Sequence, residues 1–257
     1  MIICVDLGNT TTTVGLMEGT EARAFWRITT RERTADEYGL LLRSLLASVD
    51  GRPRPDMGGL CSVVPSETEN LAEAVSATLG VSTRIVEAVS DYGVEVLVDT
   101  PEAVGGDRIA NAVGAYYEYG GPAVVVDAGT ALTFDYITDG GQYTGGVIAP
   151  GILAGARDLW ERARMLPAVE ARRPARVIGK TTIACMQSGI FFGALGEVEG
   201  IVKRIWREEG GECRVILTGG QAVLIKDDLS FDSTYDPHLT LKGIAYAVDA
   251  GLRGEAG

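Results

Sequence analysis

The chain has a single histidine and only four cysteines in 257 residues. Cys4, Cys61, Cys185 and Cys213 lie in apolar stretches, with no C-x-x-C pair and no neighbouring histidine. That spacing argues against a zinc site and for buried, reduced thiols. Positive charge is scarce as well: 23 Lys and Arg against 35 Asp and Glu give a formal net charge of -12. A general nucleic-acid binder needs Lys and Arg to neutralise phosphates, so no nucleic-acid partner is expected. Any anionic substrate must be held by local features against an unfavourable overall field. No stretch approaches the roughly 20 apolar residues that a membrane helix requires, so no membrane partner is expected either. The opening MIICVDLGNT has no basic segment ahead of its apolar run, and the expected location is cytoplasmic.

What the chain does have is a repeated turn. With 46% hydrophobic and 23% charged residues, it can bury one large core or two modest ones. Residues 2–5 form a short apolar run that ends in Asp6-Leu7-Gly8-Asn9-Thr10, and a second strand is expected over 11–17. Gly8 and Asn9 tolerate positive φ and suit a turn between two strands. The same pattern returns at 123–126, Asp127-Ala128-Gly129-Thr130 and 132–137, with an offset of 121 residues between the aspartates. One D-x-G is more often a plain hairpin turn than a site. Two copies half a chain apart, each between apolar strands, are the strongest signal in the sequence.

The remaining patterns read as α/β in both halves. Strands are expected at 22–28, 60–64 and 84–86, and helices at 34–47, 66–79 and 102–119, the first opened by a Thr34/Glu37 capping box. In the second half strands are expected at 142–148 and 214–217. Helices are expected at 153–164, 182–207, 219–225 and 239–252. Gly120-Gly121-Pro122 is the expected hinge, giving halves 1–120 and 121–257. Two such halves match the duplicated actin, hexokinase and Hsp70-like (ribonuclease H-like) architecture. By that topological likeness, the two hairpin turns grip nucleotide phosphates from both sides of a cleft.

The turns suit this chemistry. A tight D-x-G-N-T turn offers unobstructed backbone N–H groups to phosphate oxygens, and Asn9, Thr10, Thr11, Thr12 and Thr13 add side-chain donors. The aspartates repel phosphate and instead suit a cation, or the waters of Mg²⁺, that bridges phosphates. Ile178-Gly179-Lys180-Thr181 imitates the end of a Walker A loop, but Pro174 stands where that loop needs its first glycine. Thr218-Gly219-Gly220 after a buried strand fits an adenosine contact through Gly219 and Gly220, or a bare glycine turn. Gly105-Gly106-Asp107-Arg108 opens a helix. An aspartate there is first of all a partner of the helix dipole. The glycines also admit a ligand, Arg108 suits a carboxylate, and Asp107 suits the proton of an alcohol attacking the γ-phosphate.

These segments, in order, resemble type III pantothenate kinase nearly end to end. The motifs are Asp6-Leu7-Gly8-Asn9-Thr10, Thr34-Ala35-Asp36-Glu37, Ser62-Val63-Val64-Pro65, residues 101–108 and Asp127-Ala128-Gly129-Thr130-Ala131. Residues 145–151, Gln187-Ser188-Gly189 and Thr218-Gly219-Gly220 complete the set. The resemblance implies transfer of the ATP γ-phosphate to pantothenate, with Mg²⁺ and a monovalent cation, K⁺ or NH₄⁺. It implies Asp107 as general base, a pantothenate site of Gly105, Gly106, Asp107, Arg108 and Thr182, and ATP held by residues 6–13 and Thr130. Asp127 corresponds to the monovalent-cation ligand, and a homodimer is implied. Two positions depart from the family pattern. Val98, nine residues before Asp107, stands where a tyrosine is usual, with Tyr92 nearby in sequence, and Thr181 stands where asparagine is common. A non-catalytic regulator and a phosphohydrolase share this superfold; a regulator is expected to lose one of Asp6, Asp107 and Asp127, and all three are present. His238 is expected to be structural, at a helix start.

Overall fold

The computed structural model describes residues 1–163 and 165–254, with side chains described through residue 251. No helix among them is long and apolar enough to cross a membrane. The chain separates into two compact units. One comprises residues 1–120, 141–143 and the segment from His238 onward; the other comprises 121–140 and 144–237.

The first unit is built on a five-stranded sheet of order β3-β2-β1-β4-β5. Strands β1 (Ile2–Leu7), β2 (Thr11–Glu18) and β3 (Glu21–Thr29) form antiparallel hairpins, while β4 (Met57–Ser62) and β5 (Thr83–Ile85) add in parallel. β1 reads as a continuous apolar run because it is covered on both faces. Ile3, Val5 and Leu7 pack with Tyr38 and Leu42 of α1 (Ala35–Ala47) and with Leu71 and Val75 of α2 (Pro65–Leu79). The opposite face carries Gly15 and Gly59, where a Cβ would strike Leu241 in one case and Ile244 and Val248 in the other. Those side chains belong to α6 (Leu239–Gly254), which also lies on α3 (Gly106–Tyr119). That crossing is close because a Cβ at Gly243 would overlap the Ala110 carbonyl. The capping box on α1 is present: Glu37 N–H donates to Thr34 Oγ1 at 3.3 Å, and Thr34 N–H donates to the Glu37 carboxylate at 2.9 Å.

The second unit repeats the plan. β7 (Ala123–Ala128) pairs antiparallel with β8 (Ala131–Ile137) and parallel with β10 (Arg214–Thr218), as β1 does with β2 and β4. The sheet runs β11 (Thr234–Tyr235), β10, β7, β8, β9 (Gln142–Pro150). The two-residue β6 (Glu95–Val96) pairs with Gln142 and Tyr143 of β9, the short return of the chain to the first unit. Val124, Val126, Phe134 and Leu217 pack against Phe191, Val198 and Val202 of the long helix α5 (Thr182–Glu208). α4 (Ile152–Arg162) precedes it.

Four expectations are corrected here. The second half is expected to run to 257, whereas α6 belongs with the first unit, where its apolar residues cover β1, β2 and β4. The expected helix at 219–225 is a 3₁₀ turn over Ala222–Leu224, because Gly219 is left-handed at φ +84° and the following chain folds back on Ala128. The expected helix at 102–119 is split into a 3₁₀ turn, Pro101–Ala103, and α3, because Val104 between them is extended. The helix expected to reach residue 164 ends at Arg162; residue 164 lies outside the described residues.

Candidate active site

In the first unit, a strand end and a helix start bring two of the three aspartates around Cys61. Asp6, near the end of β1, is opposed by Thr13 on β2 and by Cys61 on β4. The Cys61 thiol donates to Asp6 Oδ1 at 3.4 Å. Directly beyond β4 comes the start of α3. A Cβ on Gly106 would stand 2.6 Å from the Val86 carbonyl and 3.3 Å from Cys61 Cβ, so only glycine lets the helix start this close. Burial pushes the Cys61 thiol well up, and the charges of Asp6 and Asp107 push it further. The thiol is therefore a neutral donor lying in the field of both carboxylates.

Asp107 is the second residue of α3. Burial raises its carboxyl above the ordinary value, while the Arg108 N–H, donating to Oδ1 at 2.8 Å, and the Arg108 charge pull the other way. Burial wins, leaving a carboxylate more basic than a surface aspartate. The Arg108 guanidinium stands 5.8 Å from the centre of the Tyr143 ring.

The first phosphate turn spans residues 8–11, between the paired Leu7 and Thr12. Gly8 N–H donates to the Thr11 carbonyl at 3.2 Å. Asn9, Thr10 and Thr11 are exposed and Thr13 is half-buried, but Thr12 is fully buried and its hydroxyl lies 2.8 Å from that of Thr30. The accessible donors of this turn are thus Asn9, Thr10 and Thr11, while the Thr12 hydroxyl is turned into the structure.

The second turn is one residue shorter, with 129–131 between the paired Ala128 and Leu132. Asp127 is opposed by Thr133, as Asp6 is by Thr13. Gly219 abuts it: a Cβ there would strike the Asp127 carboxylate and the Ala128 carbonyl. Gly220 is different, since a Cβ on it would meet nothing within 4 Å. Gly151, the N-cap of α4, lies on the carbonyls of Gly129 and exposed Thr130. Thr182 is the exposed first residue of α5, on an open depression of about 590 Å³ shared with Met165, Leu166, Pro167, Thr181 and Ile183. Thr181 is the N-cap, its hydroxyl accepting from Ala184 N–H at 3.2 Å, a task asparagine performs equally well.

The structure therefore groups Asp6, the 8–11 turn, Gly105, Gly106, Asp107 and Arg108 in one unit, and Asp127, Thr130, Gly219, Gly220 and Thr182 in the other. Tyr92 does not replace the ring absent at Val98. It is buried, its hydroxyl accepting from Glu87 N–H at 3.0 Å and donating to the Ile85 carbonyl at 3.3 Å. His238 precedes α6, accepts Lys242 N–H at its carbonyl and packs edge-on against Phe25. Three participants were not singled out from the sequence: Cys61, Thr30 and Gln221. Among the described residues, no three His, Cys, Asp or Glu side chains converge as a metal cluster. Asp6 and Asp127, one in each unit, are hard oxygen donors, and each fits a cation of its own whose coordination is completed by phosphate and water.

A family model described as type III pantothenate kinase matches residues 2–204. The type III pantothenate kinase of Moorella thermoacetica is 45% identical over 247 residues, covering 95% of this chain and 97% of that one. That of Solibacter usitatus is 42% identical over 247 residues, covering 95% and 94%. Among solved structures, a ROK hexokinase from Thermus thermophilus aligns with a TM-score of 0.57 at 13% identity, covering 96% of this chain and 97% of that one, which shows the shared fold. With its motifs in order and its length matched almost throughout, the chain belongs to the type III pantothenate kinase family.

Proposed function

We propose that the protein transfers the γ-phosphate of ATP to the primary hydroxyl of pantothenate, giving 4′-phosphopantothenate in the first step of coenzyme A biosynthesis, with Asp107 as general base. The observation that carries this reading is the Asp107 carboxylate itself, half-buried and raised at the start of α3, with Cys61 of β4 in the field of both Asp107 and Asp6. The attacking hydroxyl gives its proton to Asp107 as its oxygen bonds to the γ-phosphorus; the bond from that phosphorus to the β–γ bridging oxygen breaks, and ADP leaves. A positioned base of raised pKa contributes about 10²- to 10⁴-fold to such a step.

Gly105 and Gly106 contact the acceptor through their backbone, and Arg108 takes the pantothenate carboxylate as a charge-assisted partner. Thr182 is a further pantothenate contact. Backbone and side-chain donors of Asn9, Thr10 and Thr11 hold phosphate oxygens, Thr130 holds ATP from the second turn, and Gly219 and Gly220 admit the adenosine. Asp6 is placed for Mg²⁺ and its waters, and Asp127 for K⁺ or NH₄⁺; when bound, these cations neutralise phosphate charge. A homodimer is supported by Leu153 and Leu159 of α4 and Ile183 of α5, large apolar side chains left exposed in the single chain. Val98 is half-buried and brings no hydroxyl to the acceptor site.

The test is ADP release with ATP, Mg²⁺ and potassium, with and without pantothenate. ADP release that requires pantothenate is expected. Phosphate release without pantothenate would identify a hydrolase, and no turnover under either condition would contradict the kinase reading.

A further inference from the structure

Both turns are gripped from behind at the same atom. In the first, the hydroxyl of Thr30, the residue that follows β3, donates to the Gly8 carbonyl at 2.7 Å, and Thr30 N–H donates to the Thr10 carbonyl at 3.0 Å. Since the Thr30 hydroxyl gives its proton to Gly8, the buried Thr12 hydroxyl 2.8 Å away is the donor to Thr30. In the second, Gln221 Nε2 donates to the Gly129 carbonyl, also at 2.7 Å. Gly129 is the counterpart of Gly8 at the offset of 121 residues. Gln221 is anchored at both ends: its N–H donates to the Ala128 carbonyl at 2.9 Å, and its Oε1 accepts Leu153 N–H of α4 at 2.9 Å.

Thr30 and Gln221 come from unrelated places in the two units: one follows the edge strand β3, the other follows β10. Their common target has a physical consequence. In a trans peptide the carbonyl and the next N–H point in opposite directions. A donor that holds the Gly8 carbonyl toward Thr30 turns the Asn9 N–H away from Thr30. Gln221 does the same for the Thr130 N–H. Each glycine peptide is thereby fixed, before ligand arrives, with its following N–H on the side opposite the clamp.

We infer that Thr30 and Gln221 are positioning residues that orient the glycine peptides of the two turns, so that the N–H groups of Asn9 and Thr130 meet ATP phosphate oxygens without reorganisation. This rests on the reading of the turns as the ATP site. The groups touch no reacting atom, so their removal is felt in ATP affinity and not in pantothenate affinity.

The test compares Thr30→Val, Thr30→Ser and Gln221→Leu with the wild-type chain, by direct titration with Mg-ATP and by separate KM values for ATP and pantothenate. Thr30→Val keeps the shape and loses the donor; Thr30→Ser keeps the donor. Loss of a side-chain hydrogen bond that fixes a binding group is expected to weaken ATP binding about tenfold in Thr30→Val and in Gln221→Leu. The pantothenate KM should stay within about twofold, and Thr30→Ser should recover wild-type ATP affinity. Equal ATP affinity in folded Thr30→Val and wild type would overturn the inference, as would an equal rise in both KM values or failure of serine to rescue. If Thr30→Val does not fold, Gln221→Leu in the other unit decides by the same criteria. A wild type that binds ATP but leaves pantothenate unphosphorylated sinks the reaction alone; the titrations then still judge the clamps.

Discussion

The two turns carry the same backbone signal and are supported by different chemistry. Asp6 accepts a buried thiol from Cys61 and shares its surroundings with Asp107; Asp127 lies against Gly219, which leaves room for its carboxylate only because it has no Cβ. The first loop has four residues between paired strands and the second three. Thr30 secures one and Gln221 the other. What the duplication preserves is therefore the strand–turn–strand backbone and its glycine carbonyl. The side chains around it have diverged, so that one turn adjoins Cys61 and Asp107 and the other adjoins Gly219.

The sharpest way to break this division is at the base. Asp107→Asn keeps the shape and removes the proton acceptor, so kcat is expected to fall about 10³-fold with ATP affinity unchanged. Asp127→Asn should not reproduce that pattern. The same Asp107 substitution has a stability counterpart with a definite sign. A folded pKa raised above the unfolded one means that the native state loses relative stability as pH rises through the folded value. Asp107→Asn is therefore expected to unfold at higher temperature than wild type near pH 7, and the gap should close in acid, where Asp107 is protonated in both states. Scanning calorimetry at several pH values checks it; a lower melting temperature at neutral pH would contradict the burial argument.

A smaller effect sharpens the contrast within the second unit. Gly219→Ala places a Cβ against the Asp127 carboxylate at φ +84°, and a cost of about 2 kcal/mol with weakened ATP binding is expected. Gly220→Ala enters space free of protein atoms, so the change in folding stability should stay within about 0.5 kcal/mol. Chemical denaturation and ATP titration of the pair read this out. Equal behaviour of the two alanines would remove the special standing of Gly219.

Much of this arrangement is legible in the amino-acid sequence. The repeated D-x-G between apolar runs announced the turns, and Thr34 with Glu37 announced the start of α1. Gly105-Gly106-Asp107 announced the start of α3, because glycine spacing and caps are local signals. The unread parts depend on distant partners. Thr30 lies 22 residues from Gly8, and Gln221 lies 92 from Gly129, so neither bond leaves a local pattern. β6 and β11, at two residues each, are too short to show alternation. The return of α6 to the first unit is a matter of which apolar face it covers, and periodicity gives a face without its partner. Gly219 and Gly220 looked alike in sequence; only the position of Asp127 separates them.

The most direct measurement is kcat against pH for the wild-type chain at saturating ATP, Mg²⁺, potassium and pantothenate. With Asp107 as a base raised by burial, kcat should fall through a single ionisation above the ordinary aspartate value of 3.8 as pH is lowered. A kcat that stays level down to the ordinary carboxylate range in folded enzyme would contradict Asp107 as the raised base.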